Sequence, residues 1–166
     1  MEISFGPKGI IQIDDARIIY RNFSGEASKY NREGDRNFAV VIPNEDLKDQ
    51  LVNDTNQFGV GWNIKIKPPR DEDESPFMFM PVKVRFNDRG PNVYLVTNGN
   101  QVRLSEDTIE TLDHIDIERV DLDIRPYDDE FNGRAFRSAY LHGMRVVQRV
   151  TDRFAEEEYP GELPLE

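Results

Sequence analysis

The chain has 166 residues, 37% of them hydrophobic and 32% charged, a size and balance typical of one folded domain or of one domain with a tail. It contains no cysteine, which excludes disulfides and Cys-ligated metal sites and favours a reducing, cytoplasmic compartment. No apolar run approaches the roughly 20 residues of a membrane helix, so no membrane association is predicted. Most of the net charge of -11 comes from residues 71–74 and 152–166, and acidity therefore does not exclude nucleic-acid binding by the nearly neutral remainder.

The first part of the chain is predicted to form two strands joined by a polar loop. Residues 10–23 are rich in Ile, Tyr and Phe and predict a strand that bends at Asp14-Asp15. Residues 24–35 contain two glycines and no aliphatic residue larger than alanine, which is typical of a loop. Residues 37–42 alternate with apolar side chains on both faces, which indicates an interior strand.

A short helix and further strands follow. Asn44 is a good N-cap for a polar helix that lies on a surface. Alternation predicts strands over residues 62–67 and 77–86. Residues 93–96 are expected to pair, across a Gly-Pro turn, with the strand before them. Ser105 then caps a second short helical turn.

Residues 118–151 predict a long β-hairpin that carries much of the positive charge. Apolar and polar residues alternate strictly at its start. The chain should turn between Pro126 and Asn132-Gly133, because proline removes a backbone donor and Asn-Gly tolerates positive φ. Residues 132–151 hold four arginines and no acidic residue, interleaved with aromatic and aliphatic residues. Such a hairpin can lay one face on a core and offer arginine and aromatic groups to single-stranded nucleic acid.

The last residues differ in composition from the rest. Residues 155–166 contain five glutamates, two prolines and one glycine, which cannot build a core. We therefore expect a domain over residues 1–154 and an acidic, disordered tail over residues 155–166. Such a tail keeps a protein soluble, binds a basic partner protein, or occupies the cationic groove of its own domain. The partner-binding candidates are Glu156, Glu157, Glu158, Leu163 and Leu165.

These elements predict an all-β fold. About six or seven short strands, with turn residues between them and two minor helices, are expected from the patterns. The length and the helix after an early strand favour an OB-fold-like Greek-key barrel over a sandwich. The predicted fold is thus an OB-like barrel with added hairpins and two short helices.

Aromatic and basic residues in three places suit the binding of a single strand, which needs ring faces for stacking and cations along the backbone path. The candidates are Arg21, Phe23, Tyr30, Arg32, Arg36, Lys65, Lys67, Phe131, Arg134, Phe136, Arg137 and Tyr140, and Tyr20 lies beside the first of them. Tyr30 and Phe131 sit among turn residues with no apolar partner in phase, so they are expected to be exposed. Four other aromatic residues alternate in phase with aliphatic residues and are assigned to the core: Phe38, Trp62, Phe79 and Phe86.

Catalytic patterns are poor. His114 and His142 have no metal-ligand spacing to another histidine. Asp121 and Asp123 resemble a metal-binding pair, but alternation on the polar face of a strand predicts them without a metal. There is no Gly-rich phosphate loop and no serine elbow. We predict no enzyme, no catalytic residue, no metal and no cofactor, and keep a metal-dependent enzyme acting on nucleic acid as a minor alternative.

Three segments resemble phage-encoded or mobile-element single-stranded DNA-binding proteins of the OB-fold, helix-destabilising type. They are YRNFSGEASKYNREGDRNFAVVI (20–42), GWNIKIKPPR (61–70) and VDLDIRPYDDEFNGRAFRSAYLHGM (120–144). The resemblance spans residues 10–154. It implies an OB barrel, sequence-tolerant binding of single-stranded DNA, a role in phage replication or recombination, and an acidic C-terminus that recruits the replication machinery. The chain departs from the pattern because its tail ends Leu-Pro-Leu-Glu, without a terminal aromatic residue.

The predicted function is therefore sequence-nonspecific single-stranded DNA binding in phage or mobile-element replication or recombination. The expected partners are single-stranded DNA and, through the tail, replication or recombination proteins; a homodimer is compatible with the sequence. The alternative is a protein-interaction module, such as an acidic β-domain that mimics DNA through residues 71–74 and 128–130 and inhibits a host enzyme. The first hypothesis requires five cations to gather in one cleft: Arg21, Arg36, Lys65, Arg134 and Arg137.

Overall fold

The computed structural model describes residues 1–150. The predicted boundary at residue 154 and the tail over residues 155–166 lie outside the described residues, as do Glu156, Glu157, Glu158, Leu163 and Leu165. The described strands are β1 (Glu2–Phe5), β2 (Ile11–Asp14), β3 (Ile18–Asn22), β4 (Arg36–Ile42), β5 (Lys65–Lys67), β6 (Phe77–Val84), β7 (Asn92–Thr97), β8 (Asn100–Leu104), β9 (Ile117–Phe131) and β10 (Arg134–Gln148). The helical elements are α1 (Glu45–Asn53) and two 3₁₀ turns, Pro7–Gly9 and Ile109–Asp113. None of the helices within residues 1–150 has the length and apolar character needed to span a membrane.

The sheet closes into a barrel because residues 11–22 form one bent segment with partners on both sides. The first part, β2, pairs antiparallel with β9, and the second part, β3, pairs antiparallel with β4. At the junction the Ala16 N–H donates to the Val120 carbonyl at 2.8 Å, and the Val41 N–H donates to the Arg17 carbonyl at 2.9 Å. β4 pairs with β6, β6 pairs in parallel with β10, and β10 pairs with β9. With β2 and β3 counted as one strand, this order is the five-stranded Greek-key OB barrel that the sequence predicts.

Inward-facing side chains of the barrel strands meet in one hydrophobic core, as the alternation predicts. On β6, for example, Met80 and Val82 are fully buried. Helix α1 contributes Leu51, and the second 3₁₀ turn contributes Ile109 and Leu112, so both helical elements close the barrel with apolar residues.

The four aromatic residues assigned to the core are not all inside the barrel. Phe38 and Trp62 belong to the core cluster, and Phe86 packs against it while staying partly exposed. Phe79 is also buried, but it lies on the outward side of β6 and is not part of that cluster. The side chains that cover Phe79 therefore lie on the outer surface of the barrel.

Helix α1 begins as predicted and shortens the strand that follows it. The Asn44 side chain accepts the Leu47 N–H at 2.9 Å, which is the predicted N-cap. Near the C-terminal end of the helix, the Leu51 carbonyl accepts the Trp62 N–H at 3.2 Å. The backbone donor of Trp62 is therefore bonded to the helix and not to the sheet. The prediction of a strand over residues 62–67 is correct only for β5.

The prediction that residues 93–96 pair with the strand before them is wrong. β7 pairs instead in parallel with β10, and β8 covers its other edge. The ladder pairing of β10 with β6 is confined to Tyr140 and Lys83. The register of β10 then shifts between Leu141 and Gly143, and such a bulge bends a strand away from its neighbour. β7 occupies the edge of β10 that β6 leaves.

The β9–β10 hairpin is longer than predicted because Pro126 does not end its first strand. β9 continues through Pro126, which pairs with Ala139, to a two-residue turn at Asn132 and Gly133 with φ of 53° and 75°. A proline has no N–H to donate, and the pairing of β9 with β2 ends at Ile124, so no neighbour on that edge lacks a donor. The hairpin therefore extends beyond the barrel wall.

Gly61 is required by the close approach of the chain to helix α1. A Cβ at this position would lie 2.0 Å from the Val52 carbonyl oxygen, which is backbone and cannot move aside. We expect Gly61→Ala to cost about 3 kcal/mol or more in the free energy of unfolding, measured by denaturant titration, because overpacking forces the backbone to shift. Gly143→Ala is the matched control, since its Cβ would meet its nearest neighbour at 3.7 Å. Equal stability of the two variants would contradict this reading.

Candidate nucleic-acid interface

The outer face of the barrel carries aromatic and basic side chains along strand β6. The inward-facing residues of β6 alternate with an outward row that includes Phe79, Pro81 and Lys83. β6 lies between β4 and β10, and β5 pairs with its start, so this row runs along the middle of one outer face. OB folds bind oligonucleotides on the face of their second and third strands, which here are β4 and β6.

The first group on this face, which we call the Tyr20 cluster, consists of Tyr20, Lys67 and Phe79. The Tyr20 and Phe79 rings meet edge to face with centroids 5.5 Å apart. The Lys67 ammonium lies 5.4 Å from the Tyr20 centroid and 5.7 Å from the Phe79 centroid, and it donates to the Tyr20 hydroxyl at 3.1 Å. The cluster thus presents an exposed ring beside a cation.

An irregularity in β3 positions Tyr20. Its φ is 55°, a left-handed conformation that is unfavourable for a tyrosine. The register of β3 against β4 shifts between Ile19 and Asn22. Bulges of this kind re-aim a side chain, and here the ring of Tyr20 lies outward over Phe79 with 56% of its surface exposed.

The Tyr20 cluster forms one wall of a wide groove of about 1830 Å³ whose other wall is the loop over residues 24–35. Tyr30, 89% exposed, and Lys65 line the same groove. Glu26, Glu33 and Asp113 also line it. The Asp113 carboxylate is already bonded to the backbone N–H groups of residues 23 and 24, at 2.8 and 2.9 Å.

The second group, the Tyr140 cluster, consists of Lys83, Arg125, Tyr127, Phe136 and Tyr140. The Arg125 guanidinium lies 4.8 Å from the Tyr140 ring centroid and the Lys83 ammonium lies 5.8 Å from it. Tyr127 contacts the Tyr140 ring at 6.1 Å and the Phe136 ring at 6.4 Å, both measured between centroids. Three rings and two cations therefore lie side by side across β6, β10 and β9.

A carboxylate orients Tyr127 within this cluster. The Tyr127 hydroxyl donates to the Asp129 carboxylate at 3.0 Å. This hydrogen bond and the negative charge of Asp129 raise the pKa of the Tyr127 phenol.

The two clusters are connected along the loop over residues 24–35. Arg32 of the loop, Asn37 of β4, Lys83 of β6 and Tyr140 of β10 line a shared recess of about 390 Å³. Arg32 pairs only loosely with Asp35, at 3.6 Å. A single polymer can therefore contact the groove and the Tyr140 cluster without leaving the surface.

Five cations on or beside this face have no carboxylate partner within residues 1–150. No salt bridge in that part of the chain involves the side chains of Lys65, Lys67, Lys83, Arg85 or Arg125. Cations that lack a counter-charge in a chain of net charge -11 are available for an anionic ligand.

Two candidates from the first strand are structural. Phe23 is fully buried and stacks on Phe38 with centroids 5.2 Å apart, so it is not an exposed stacking residue. Arg21 lines the groove, but its guanidinium donates to the carbonyls of Leu112 and Ile115 at 2.7 and 2.9 Å. Arg21 supplies hydrogen-bond donors to these two carbonyls, which explains the arginine at this position.

Arg36 and Arg137 also have internal partners. Arg36 donates to the Phe23 carbonyl at 3.0 Å and pairs with Glu106 at 3.2 Å. Arg137 points inward, is only 8% exposed, and donates twice to Asp128, at 2.7 and 3.2 Å. The expectation that five cations gather in one cleft is therefore wrong. Local carbonyls and carboxylates hold Arg21, Arg36 and Arg137. Arg134 lies at the hairpin tip, apart from the groove that Lys65 lines.

The other candidates lie on or beside the outer face. Lys65, Lys67 and Tyr30 line the groove, Arg32 lines the recess, and Phe136 and Tyr140 belong to the Tyr140 cluster. Phe131 and Arg134 lie opposite each other at the hairpin tip, where Phe131 is 72% exposed.

Sequence reasoning missed Phe79, Lys83, Arg125 and Tyr127. Lys83 and Arg125 each lie out of phase with the apolar residues of a strand, which marks them as outward-facing. Their proximity depends on the pairing of β6, β10 and β9, which the sequence does not specify.

Asp121, which resembles part of a metal-binding pair, is used in hydrogen bonds. It accepts the Asp15 N–H at 2.9 Å, Arg119 at 3.2 Å and Arg145 at 3.2 Å. Within residues 1–150 no group of three acidic or histidine side chains is arranged around a metal position.

Acid should destabilise the domain through Asp121 and Asp128. Burial alone would raise the pKa of each carboxyl, but hydrogen bonds to the carboxylates outweigh this effect and lower both pKa values. Asp128 accepts from Arg137 and Asn56. Asp121 accepts from the Asp15 N–H and from Arg145. A lowered folded-state pKa contributes stability that is fully present above the unfolded-state pKa of about 3.9 and is lost as pH falls through the folded-state value. We expect the denaturant midpoint to be flat above about pH 5 and to fall below about pH 4. A midpoint that stays constant to pH 2 would contradict this assignment.

Comparison with known proteins gives a family and a fold. A family model described as "Putative phage ssDNA-binding domain" matches residues 5–161. The structure of the single-stranded DNA-binding protein from bacteriophage Enc34 in complex with ssDNA is similar over 91% of this chain and 92% of that chain, with 14% identity and a TM-score of 0.54. A C-terminally truncated form of the Enc34 protein is similar over 90% and 91%, with 14% identity and a TM-score of 0.53. No curated protein matches the chain. At these identities the solved structures support the barrel fold.

Proposed function

The chain belongs to the phage single-stranded DNA-binding domain family, and we propose that it binds single-stranded DNA, without sequence preference, along the Tyr20 and Tyr140 clusters. The observation that carries the proposal is the position of the Tyr140 ring between Arg125 and Lys83. A base can stack on such a ring while the flanking cations contact the neighbouring phosphates.

The lack of sequence preference follows from the groups on the face. Ring faces accept any base, and lysine and arginine contact phosphates that every nucleotide carries. The amides nearest the path already have partners: Asn31 donates to the Glu26 carbonyl at 2.9 Å, and Asn37 donates to the Asn31 side chain at 2.8 Å. Their side-chain N–H groups are therefore not free to donate to base edges.

The path of the strand follows from the arrangement of the clusters. It would enter the groove beside Tyr20 and Tyr30, cross β6 at Lys83, and continue over Tyr140 toward Phe136 and the hairpin tip. Phe136 and Tyr140 are four residues apart on β10, about 13 Å along the strand. Together with the groove beside Tyr20 and the crossing of β6, this stretch gives a path for several nucleotides, within the range of about 4–16 per OB fold.

The DNA-mimic alternative has less support. In the first of its two acidic segments, residues 128–130, Asp128 binds Arg137 and Asp129 binds the Tyr127 hydroxyl, so two of the three carboxylates have internal partners. The second segment, residues 71–74, is exposed on the loop between β5 and β6.

The wider role is also part of the proposal. Membership of a phage family supports action in phage DNA replication or recombination, in the cytoplasm of the host, by binding and not by catalysis. The glutamates and leucines of residues 155–166 would recruit replication or recombination proteins, as an acidic segment beside a DNA-binding domain allows.

A polarisation titration tests the proposal. The full chain is titrated onto a labelled oligothymidylate of about 20 nucleotides at about 50 and about 200 mM salt. We expect tight binding at the lower salt, a linear fall of log K with log salt, and an affinity for an oligodeoxycytidylate of the same length within a few-fold. Absence of binding at the lower salt would refute the function, and a strong preference for one sequence would refute its lack of specificity.

A further inference from the structure

The turn after β6 forms a second cationic recess next to the Tyr140 cluster. A cavity of about 350 Å³ is lined by Arg85, Asn87, Arg89, Gly90, Pro91, Arg125, Leu141 and His142. Three arginines and a histidine face this space, and no carboxylate lines it. We call it the arginine recess.

The residues of the recess favour the binding of an anion. No salt bridge within residues 1–150 involves Arg85, Arg89 or Arg125. Like charges that converge without a counter-charge repel one another, and a bound anion would relieve the repulsion. The planar guanidinium donates two parallel hydrogen bonds to a phosphate, which makes phosphate the ligand that fits best.

The backbone of the turn holds the recess in place. The N–H groups and carbonyls of Asn87 and Gly90 are bonded to each other, at 2.8 and 3.2 Å. The Asn87 side chain accepts the Arg89 N–H at 2.8 Å. Pro91 is buried beneath the turn. A turn closed in this way needs little reordering when a ligand binds.

The recess is continuous with the proposed DNA path. Arg125 belongs both to the recess and to the Tyr140 cluster. Arg85 lines both this recess and the one that holds Arg32, Lys83 and Tyr140. A strand that stacks a base on Tyr140 therefore has an arginine of the recess within reach of an adjacent phosphate.

We propose that the arginine recess binds a phosphate of the DNA beyond the nucleotides that stack on the Tyr20 and Tyr140 clusters. The inference rests on the proposed function and deepens it, because it extends the site past β6. The phosphate could be an internal phosphodiester or the terminal phosphate of a strand, and the chemistry of the recess suits both.

The test compares Arg85→Gln/Arg89→Gln with Arg17→Gln/Arg103→Gln, a control that removes two arginines elsewhere on the domain. Each full-length variant is titrated with hydroxyl-ended oligothymidylates of about 6 and about 20 nucleotides over a range of salt. For the longer oligonucleotide we expect the slope of log K against log salt to shrink by about 0.7 for each recess arginine lost. The control pair should keep the wild-type slope with both oligonucleotides. The short oligonucleotide should lose less of its slope than the long one, because Arg85 but not Arg89 also lines the recess beside Tyr140.

A third probe, the longer oligonucleotide with a 5′- or 3′-phosphate, distinguishes the two sources. Sensitivity of the hydroxyl-ended strand to the recess substitutions indicates an internal phosphodiester, whereas sensitivity confined to a phosphate-ended strand indicates a terminal phosphate. Wild-type slopes for the recess variant with every probe would overturn the inference while leaving the proposed function intact. Failure of the wild-type protein to bind any of them would instead refute the proposed function.

Discussion

Replacing Tyr140 with alanine is expected to weaken binding of an oligothymidylate by about 5- to 150-fold, the equivalent of about 1–3 kcal/mol for one stacked base. Tyr140 is the ring on which the second cluster is built, because Lys83 and Arg125 flank it from the neighbouring strands and Tyr127 packs against it edge to face. Removal of the ring would eliminate a stacking surface and leave both cations less well positioned. The measurement is fluorescence polarisation at fixed salt.

Two further substitutions separate stacking from general damage. Tyr140→Phe keeps the ring and should bind within a few-fold of the wild type. Tyr94→Ala removes a partly buried tyrosine of β7, whose partner Arg145 lies five residues from Tyr140, about 16 Å along β10. It should leave affinity unchanged. Equal loss of affinity in Tyr94→Ala and Tyr140→Ala would show that the effect is not local to the proposed face.

Replacing Arg137 with methionine is expected to cost about 3–5 kcal/mol in the free energy of unfolding, because it leaves a largely buried carboxylate without its cation. The arginine donates to both oxygens of Asp128 and, at 2.8 Å, to the Asp54 carbonyl. Its guanidinium also lies 4.9 Å from the Trp62 ring centroid. These contacts fasten the β9–β10 hairpin to the segment after helix α1. Denaturant titration measures the loss.

The control for this variant lies three residues away. Arg134 is exposed at the hairpin tip, so Arg134→Met should change stability by no more than about 0.5 kcal/mol. Replacing both members of the buried pair, in Arg137→Met/Asp128→Leu, should recover part of the loss, since no unpaired charge remains. A cost below about 1 kcal/mol for Arg137→Met alone would mean that the pair does not anchor the hairpin.

Much of the barrel follows from local patterns in the sequence. The alternation of β4, β6 and β9, the N-cap at Asn44 and the Asn132-Gly133 turn are each decided by neighbouring residues, and each is present in the structure. The pairing of β7 with β10 is decided by a bulge near Gly143 and by the length of β10. Those features depend on partners distant in sequence, which explains why a local pattern could not predict them.

The site was harder to predict because arginine has two common uses. Arg137 and Arg134 look alike in the sequence, yet the first points into the protein toward Asp128 and the second into solvent. Their positions differ by three in an alternating strand, so they lie on opposite faces. The position of each arginine in the alternation of the strand tells the two uses apart once the inward face is known. The neighbours of Arg21, two carbonyls of a 3₁₀ turn and its exit, give no signal in the sequence.

The central claim is that single-stranded DNA lies across the outer face of β6, β9 and β10. Ultraviolet cross-linking of the full chain to an oligothymidylate, followed by mass-spectrometric identification of the modified residues, tests it most directly. We expect cross-links at Tyr140, Tyr127 or Phe136, with others at Tyr20 or Tyr30, and none at Tyr94. Cross-links concentrated at Tyr94 or Phe5, with the Tyr140 cluster unmodified, would contradict the account.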